Sequence, residues 1–189
     1  MKDLKSALLL FVLLTVLLGG IYPAVVTIAA SLLFPNQAGG SLVTDGNGRV
    51  VGSLLIGQPF TQDRYFWPRP SATGDFPYNP LLSSGSNLGP TNPELIRRVE
   101  ERVAYLRRSG IAGGIPADLV FASASGLDPH ISPEAAQMQI ARVAKARKMR
   151  VEELEQIVAG HTEKRQAAVL GAPRVNVLAL NLVLDRVSP

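Results

Sequence analysis

The sequence contains no cysteine, so it forms neither a disulfide framework nor a metal site built on thiolates. Only two histidines are present, His130 and His161, and no recognised metal-ligand spacing joins them. A glycine-rich phosphate loop ending in Gly-Lys-Ser or Gly-Lys-Thr, a nucleophile elbow and a zinc-protease helix are also absent from the sequence. We therefore expect no metal site, no catalytic residues and no tightly bound cofactor.

Residues 7–34 form the one long apolar run without a charged side chain. A helix rises about 1.5 Å per residue, so this run exceeds the roughly 30 Å thickness of the hydrocarbon layer. It predicts a single transmembrane helix over 7–34. The alternative is a cleaved signal peptide, which would release a secreted binding protein, but the apolar core of such a peptide usually spans only about 7–15 residues.

Basic residues flank this run unequally. Lys2 and Lys5 precede it, whereas the first basic residue after it is Arg49. Because basic residues are enriched on the cytoplasmic side of a bilayer, residues 1–6 are predicted to lie in the cytoplasm and the large domain on the outer side of the membrane. The formal net charge of +4 does not overturn this orientation, since long domains cross a membrane largely regardless of their charge.

Small residues interrupt the apolar run near its middle. Gly19, Gly20 and Pro23 mark the place where a bend costs least. Gly20 and Ala24 lie four residues apart, a spacing that allows close packing against another helix in lipid. We therefore assign Gly19, Gly20 and Ala24 to a predicted interface with a partner helix.

The rest of the chain is polar enough to fold in water, and its patterns predict the α+β class. Residues 35–48 are interpreted as a linker and residues 49–189 as one compact soluble domain of mixed α/β structure, with a small sheet and about three to four helices. β-branched residues between glycines at 49–57 predict one or two strands. Residues 59–93 are rich in Pro, Gly and Ser, but interspersed aromatic residues favour an ordered loop over disorder.

Helix caps are the clearest local signals in this domain. An Asn-Pro pair at 92–93 and a Ser-Pro pair at 132–133 each predict a helix start. The first helix is expected to reach about Gly110 and the second about Arg147 or Lys148, with an acidic third helix following a tight turn. The apolar segment 174–185 fits either a buried strand or a buried helix, because periodicity alone does not separate the two.

Asp128 and His130 are the one pair suited to acid-base chemistry, since Asp128 could orient the imidazole as a base. The plainer interpretation, which we favour, is that both bond the local turn before a helix. A membrane-anchored hydrolase using Asp128 and His130 is the less favoured alternative. No nucleic-acid partner is expected, because the acidic third helix would repel phosphate.

An aromatic cluster lies in the long loop. It comprises Tyr65, Phe66 and Trp67, close to Arg69. Interfaces favour Trp, Tyr and Arg, so these four residues are a candidate partner-facing patch. An equally weighted alternative is a lid over the hydrophobic core.

Five segments, in the same order and spread over the whole chain, closely resemble the KdpC family, the C subunit of the bacterial Kdp potassium-transporting P-type ATPase. The segments are GSLLIGQPF (52–60), YFWPRPSA (65–72), SGSNLGP (84–90), SGLDPHISP (125–133) and RVNVL (174–178). The resemblance implies a complex in the lipid membrane with three companions: the ATP-hydrolysing pump subunit, a channel-like potassium-binding subunit and a very small membrane subunit. The Asp-Lys-Thr-Gly phosphorylation sequence of the pump subunit is absent here, so the resemblance implies an accessory subunit that is not an enzyme by itself.

The resemblance also implies a catalytic chaperone, which raises the affinity of the pump subunit for ATP through a transient ternary complex. The glutamine that the family implicates in nucleotide contact matches Gln139, which the helical pattern alone would make a surface amide. An outward-facing domain cannot touch cytoplasmic ATP. Two mechanisms therefore stay open, the nucleotide-dependent chaperone and an outward cap that stabilises the transporting subunits, and we favour the cap.

Overall fold

The computed structural model describes residues 2–187 and contains two compact units, one ending at Val51 and the other beginning at Gly52. The outermost positions of the predicted cytoplasmic end and of the predicted domain, residue 1 and residues 188–189, lie outside the described residues. The α+β class is confirmed: an apolar helix precedes a domain of small sheets and several helices.

The first unit is dominated by one apolar helix, Lys2–Leu33. It consists of Lys2–Val16 (α1), a π-helical turn at Leu17–Ile21, and Tyr22–Leu33 (α2). Every side chain along it is essentially unburied within the structure, and by length and composition it is able to cross a membrane. The π-helical turn contains Gly19 and Gly20, two of the three residues at which the sequence made a bend least costly.

The segment predicted as a linker is structured. Pro35–Ala38 forms a short helix (α3), and Leu42–Thr44 forms a strand (β1) that pairs with Val50–Ser53 (β2). The carboxylate of Asp45 closes the turn between these strands by accepting hydrogen bonds from the backbone N–H groups of Asn47 and Arg49, each at 2.9 Å. Short polar residues at such turns are hard to distinguish from a linker by composition.

Up to residue 187, where the described part of the chain ends, the second unit combines five α-helices with a three-stranded sheet. The helices are Pro93–Arg108 (α4), Pro133–Gln137 (α5), Ile140–Arg147 (α6), Val151–Gly160 (α7) and Val177–Val187 (α8), with a 3-10 turn at Ala117–Leu119. The strands are His130–Ile131 (β3), Thr162–Glu163 (β4) and Arg174–Asn176 (β5). β5 is the central strand, antiparallel to both neighbours, with Val175 opposite Ile131 on one side and Thr162 on the other.

Both predicted caps are present. Asn92 accepts a hydrogen bond from the N–H of Glu94 at 2.9 Å, and Ser132 accepts one from the N–H of Ala135 at 3.0 Å. The surface of α4 carries ion pairs between Glu94 and Arg98 at 2.7 Å and between Arg97 and Glu101 at 2.5 Å.

The second predicted helix is interrupted at Met138 and Gln139, which separate α5 from α6. In a regular helix the carbonyl of Ala135 would accept the N–H of Gln139. Here it accepts the Nε2–H of the Gln139 side chain at 3.2 Å, and the Gln139 N–H bonds the carbonyl of Ala136 instead. The side chain thus competes with its own backbone, and the prediction of one unbroken helix was wrong for this reason.

The open question about the apolar tail has a mixed answer, because β5 continues directly into α8. Asn176 is the residue at which the strand ends and the helix begins. Its Oδ1 accepts the N–H of Ala179 at 3.0 Å, and its Nδ2 donates to the carbonyl of Leu54 at 2.8 Å. The segment is therefore a strand followed directly by a helix, and no single periodicity describes all of it.

The largest buried side chains of the core come from the irregular loop. Trp67 and Phe66 are at most 1% exposed and pack in one cluster with Leu106 of α4, Ile140 of α6 and Leu180 of α8. Each such side chain contributes about 1.5–3 kcal/mol by leaving water. The long loop is therefore a central part of the core.

Candidate functional site

Two buried amides hold the backbone of the aromatic segment. Gln139 Oε1 accepts the N–H of Trp67 at 2.7 Å, while its Nε2 donates to the Trp67 carbonyl at 3.1 Å. Asn181 does the same for Phe66, accepting its N–H at 2.9 Å and donating to its carbonyl at 3.0 Å. We call Gln139 and Asn181 the amide clamp. It gives two adjacent loop residues the paired hydrogen bonds that a neighbouring strand would otherwise supply.

Two arginines of α6 hydrogen-bond the backbone just before the two residues that the amide clamp holds. Arg142 Nη2 donates to the carbonyl of Tyr65 at 3.0 Å, and Arg147 Nε donates to the carbonyl of Arg64 at 2.6 Å. The guanidinium of Arg142 also lies 3.6 Å from the centroid of the Trp67 ring, close enough for a cation-π interaction. Four consecutive loop residues, 64–67, are therefore each held by a polar side chain from α6, its N-terminal boundary or α8.

The charges of this region are largely removed from water. The Arg142 side chain is 6% exposed, and this burial lowers the pKa of its guanidinium to about 10, against a smaller opposing effect of Asp63. Arg147 is 1% exposed and pairs with Asp185 at 2.7 Å. Burial, followed by a hydrogen bond to Asp185, raises the pKa of Tyr65 above its ordinary value. A buried arginine that lost its partners would destabilise the fold strongly.

Gln139 is fully buried, so its assignment as a surface amide was wrong. Both polar atoms of its side chain are hydrogen-bonded. Nε2 donates to the carbonyls of Trp67 and Ala135, and Oε1 accepts from Arg142 Nη2 at 2.7 Å as well as from the Trp67 N–H. The amide therefore has no exposed atom at which to meet a ligand in this conformation. Periodicity gave no warning of this, because the main partner, Trp67, is 72 positions away in sequence.

The predicted aromatic patch is divided between core and surface. Phe66 and Trp67 are buried, which matches the lid alternative, whereas Tyr65 and Arg69 are partly exposed. Only Tyr65 and Arg69 therefore offer side-chain surface to a partner in this conformation. Gly19, Gly20 and Ala24 are exposed along the apolar helix.

Asp128 and His130 do approach each other. Asp128 Oδ1 lies 3.2 Å from His130 Nδ1 and accepts the backbone N–H of His130 at 3.0 Å, while Oδ2 accepts from Arg69 Nη1 at 3.0 Å. Burial raises the pKa of Asp128, but the hydrogen bonds from His130 and the charge of Arg69 outweigh it and hold the pKa below its ordinary value. The nearby hydroxyl of Ser132 is engaged as a helix cap. This arrangement bonds a turn and presents no activated nucleophile.

Asn181, Arg142 and Arg147 were not singled out from the sequence. Asn181 did carry a signal, as an amide within the apolar run of α8, because a polar residue on a buried face requires a partner. Among residues 2–187, no group of three or more His, Asp or Glu side chains is placed to hold a metal ion.

The fold and its side chains define a class of protein: a domain with an apolar helix ahead of it in sequence, whose buried polar side chains bond its own backbone. The sequence model of the family described as "K+-transporting ATPase, c chain" matches residues 4–186. The chain therefore belongs to the KdpC family.

Full-length relatives agree with this assignment. The protein called "Potassium-transporting ATPase KdpC subunit" of Geobacter sulfurreducens is 62% identical over 189 residues, covering all of both chains. The protein of the same name from Geobacter metallireducens is 59% identical over 189 residues, again covering both chains fully. That of Burkholderia cenocepacia is 54% identical over 188 residues, covering 98% of this chain and 97% of its own.

Proposed function

We propose that this chain is the accessory subunit of a potassium-transporting ATPase complex, a single-pass protein of the bacterial inner membrane whose folded domain lies outside and stabilises the subunits that carry potassium. The companions are the pump subunit, the channel-like potassium-binding subunit and the small membrane subunit. The chain itself takes no catalytic part and holds no metal.

The observation that carries the cap mechanism is the state of Gln139. A nucleotide contact by this amide would require its bonds to Trp67 to open, and those bonds keep two buried backbone groups satisfied. The bias of Lys2 and Lys5 toward one end of the apolar helix independently supports an outward domain. Both observations favour stabilisation of the complex over direct contact with ATP.

A second candidate function is the catalytic chaperone, which would raise the affinity of the pump subunit for ATP. One observation favours it. A cavity of about 570 Å³ is lined by Arg108, Arg142 and Lys145, with Asp63 as the one acidic side chain. Since Arg142 bonds Gln139, phosphate groups in this cavity would lie one side chain away from the amide.

The side of the membrane on which the folded domain lies decides between the two mechanisms. Because the sequence contains no cysteine, a single introduced cysteine can be labelled specifically to measure it. In the variant Leu81→Cys the new thiol would be on the domain surface, where Leu81 is 88% exposed, and in the matched variant Lys5→Cys it would be at the opposite end of the helix. We expect a membrane-impermeant maleimide to label Leu81→Cys in intact cells and Lys5→Cys only after lysis. The reverse pattern would overturn the outward cap and favour the chaperone.

The partner helix contact is a further part of the proposal. Gly20 and Ala24 lie on an exposed helix, where small side chains allow another backbone to approach closely. Tyr65 and Arg69, the partly exposed members of the aromatic segment, are proposed as contacts of the domain. The assembly itself is tested by affinity purification through this chain: co-isolation of a large multispanning ATPase supports the proposal, and isolation of the chain alone contradicts it.

A further inference from the structure

A cavity of about 460 Å³ lies between α4 and three loop segments, 70–72, 86–88 and 120–122. Leu95 and Val99 of α4 and Val120 and Phe121 of the loop give it apolar walls. We call it the α4 groove. Its volume falls within the range of about 300–1,000 Å³ that binding sites occupy. Phe121 remains 42% exposed at this groove, so an apolar surface is left uncovered there.

Arg102 of α4 also lines the α4 groove. Its Nε donates to the carbonyl of Leu119 at 3.0 Å and its Nη2 to the carbonyl of Pro68 at 3.3 Å. Within residues 2–187, no carboxylate lies within 4.0 Å of its guanidinium, although the Tyr105 ring is 5.4 Å away. Burial lowers the pKa of Arg102, and the positive charge is balanced only by neutral dipoles.

The other charges of the α4 groove are already paired. Arg98 is bound to Glu94, and Glu101 is bound to Arg97. Neither acidic side chain is therefore available to Arg102. A half-buried cation without a counter-charge, set in an apolar surface, is complementary to a ligand that brings an anion next to apolar groups.

We propose that the α4 groove receives a peptide segment of a companion subunit in which an acidic side chain adjoins a large apolar one, the carboxylate pairing with Arg102. The inference rests on the proposed function, since it names the docking surface for the assembly. A peptide fits better than a fatty acid because the ion pairs of Arg98 and Glu101 border the groove. Charged pairs at a rim set the register of a protein partner, whereas an acyl chain would leave them unused.

Site-specific photocrosslinking tests this in the full chain, expressed in its own membrane with its companion subunits. The photoreactive residue p-benzoylphenylalanine replaces Phe121, and the crosslinked peptide is sequenced by mass spectrometry. Ile96 serves as the matched position, because it is exposed on α4 but does not line the groove. We expect a crosslink from position 121, at least about ten-fold stronger than from 96, to a companion segment holding Asp or Glu beside a large apolar residue.

Filling the groove provides the second arm. Leu95→Trp, which occupies the α4 groove, should reduce the crosslink about ten-fold or more, as loss of a central contact does, whereas Ile96→Trp should leave it unchanged. Leu95 is substituted instead of Arg102 so that the hydrogen bonds from Arg102 to the carbonyls of Leu119 and Pro68 stay intact. If the domain unfolds in this variant, the comparison of crosslinks from positions 121 and 96 in the otherwise unchanged chain tests the inference.

Four outcomes would overturn the inference: a crosslink only to lipid or fatty acid, only to a second copy of this chain, only to a segment without an acidic residue, or equal yields from 121 and 96. Co-isolation of the chain with its companions is measured in parallel. If co-isolation persists while the crosslink fails, the docking surface is wrong and the accessory role stands. If both fail, the proposed function falls as well.

Discussion

Replacing Gln139 with leucine tests whether this residue is structural. The two side chains are similar in size, so the substitution mainly removes hydrogen bonds. It leaves the N–H and carbonyl of Trp67 buried without their partner, at about 1–3 kcal/mol for each group. We expect Gln139→Leu to lower the free energy of unfolding by about 2–6 kcal/mol, a Tm decrease on the order of 10 °C for a domain of this size.

The single tryptophan of the chain makes this measurement direct. Trp67 is that tryptophan, and its packing is reported by fluorescence or near-ultraviolet circular dichroism during thermal unfolding of the full chain in detergent. Gln137→Leu is the matched control, because Gln137 is exposed and its Nε2 donates to Glu155 at 2.8 Å on the surface. Such an exposed contact is worth less than about 1 kcal/mol, so its Tm should change little.

The result that would refute this reasoning is specific. If Gln139→Leu unfolds at the same temperature as the parent chain and as Gln137→Leu, the amide clamp does not stabilise the domain. If that stable variant also loses an effect of ATP on the assembled complex, Gln139 is a ligand contact, and the chaperone mechanism is favoured.

Three further outcomes are expected. Arg147→Met removes the donor to the Arg64 carbonyl and one of the partners of the partly exposed Asp185, and should cost about 1–3 kcal/mol; an unchanged urea midpoint would contradict this. Asp128 has a folded pKa below its ordinary value, so its ionisation contributes stability that is complete above the pKa of the unfolded chain and is lost as pH falls through the folded pKa. The stability difference between the parent and Asp128→Asn should therefore be constant near neutral pH and shrink in acid, whereas a difference that grows in acid would reverse the assigned sign. Gly20→Leu should reduce co-isolation of the companion subunits in mild detergent, and undiminished recovery would place the helix contact elsewhere.

Local chemistry explains which parts of the fold were predictable. Asn92 and Ser132 cap helices through bonds to backbone groups two or three residues away, and such contacts are visible in a short window of sequence. The apolar helix was equally evident, since its composition alone defines it. The resemblance to the KdpC family rested on short segments in order, and the family model confirms it.

The candidate site was not predictable in this way because its contacts join distant positions. The burial of Gln139 depends on Trp67, and that of Asn181 depends on Phe66, 115 positions away. A segment without regular secondary structure gives no periodicity that would identify it as core. The helix break at Gln139 has the same origin, since the side chain bonds Ala135 as well as Trp67.

The amide clamp also constrains how this protein is able to vary in evolution. Surface loops normally accept inserted and deleted residues, but residues 64–67 meet their partners one by one. One extra residue between Phe66 and Trp67 would displace either the Asn181 pair or the Gln139 pair. This stretch should therefore keep a fixed length across divergent descendants of the gene, even though its backbone is neither helix nor strand.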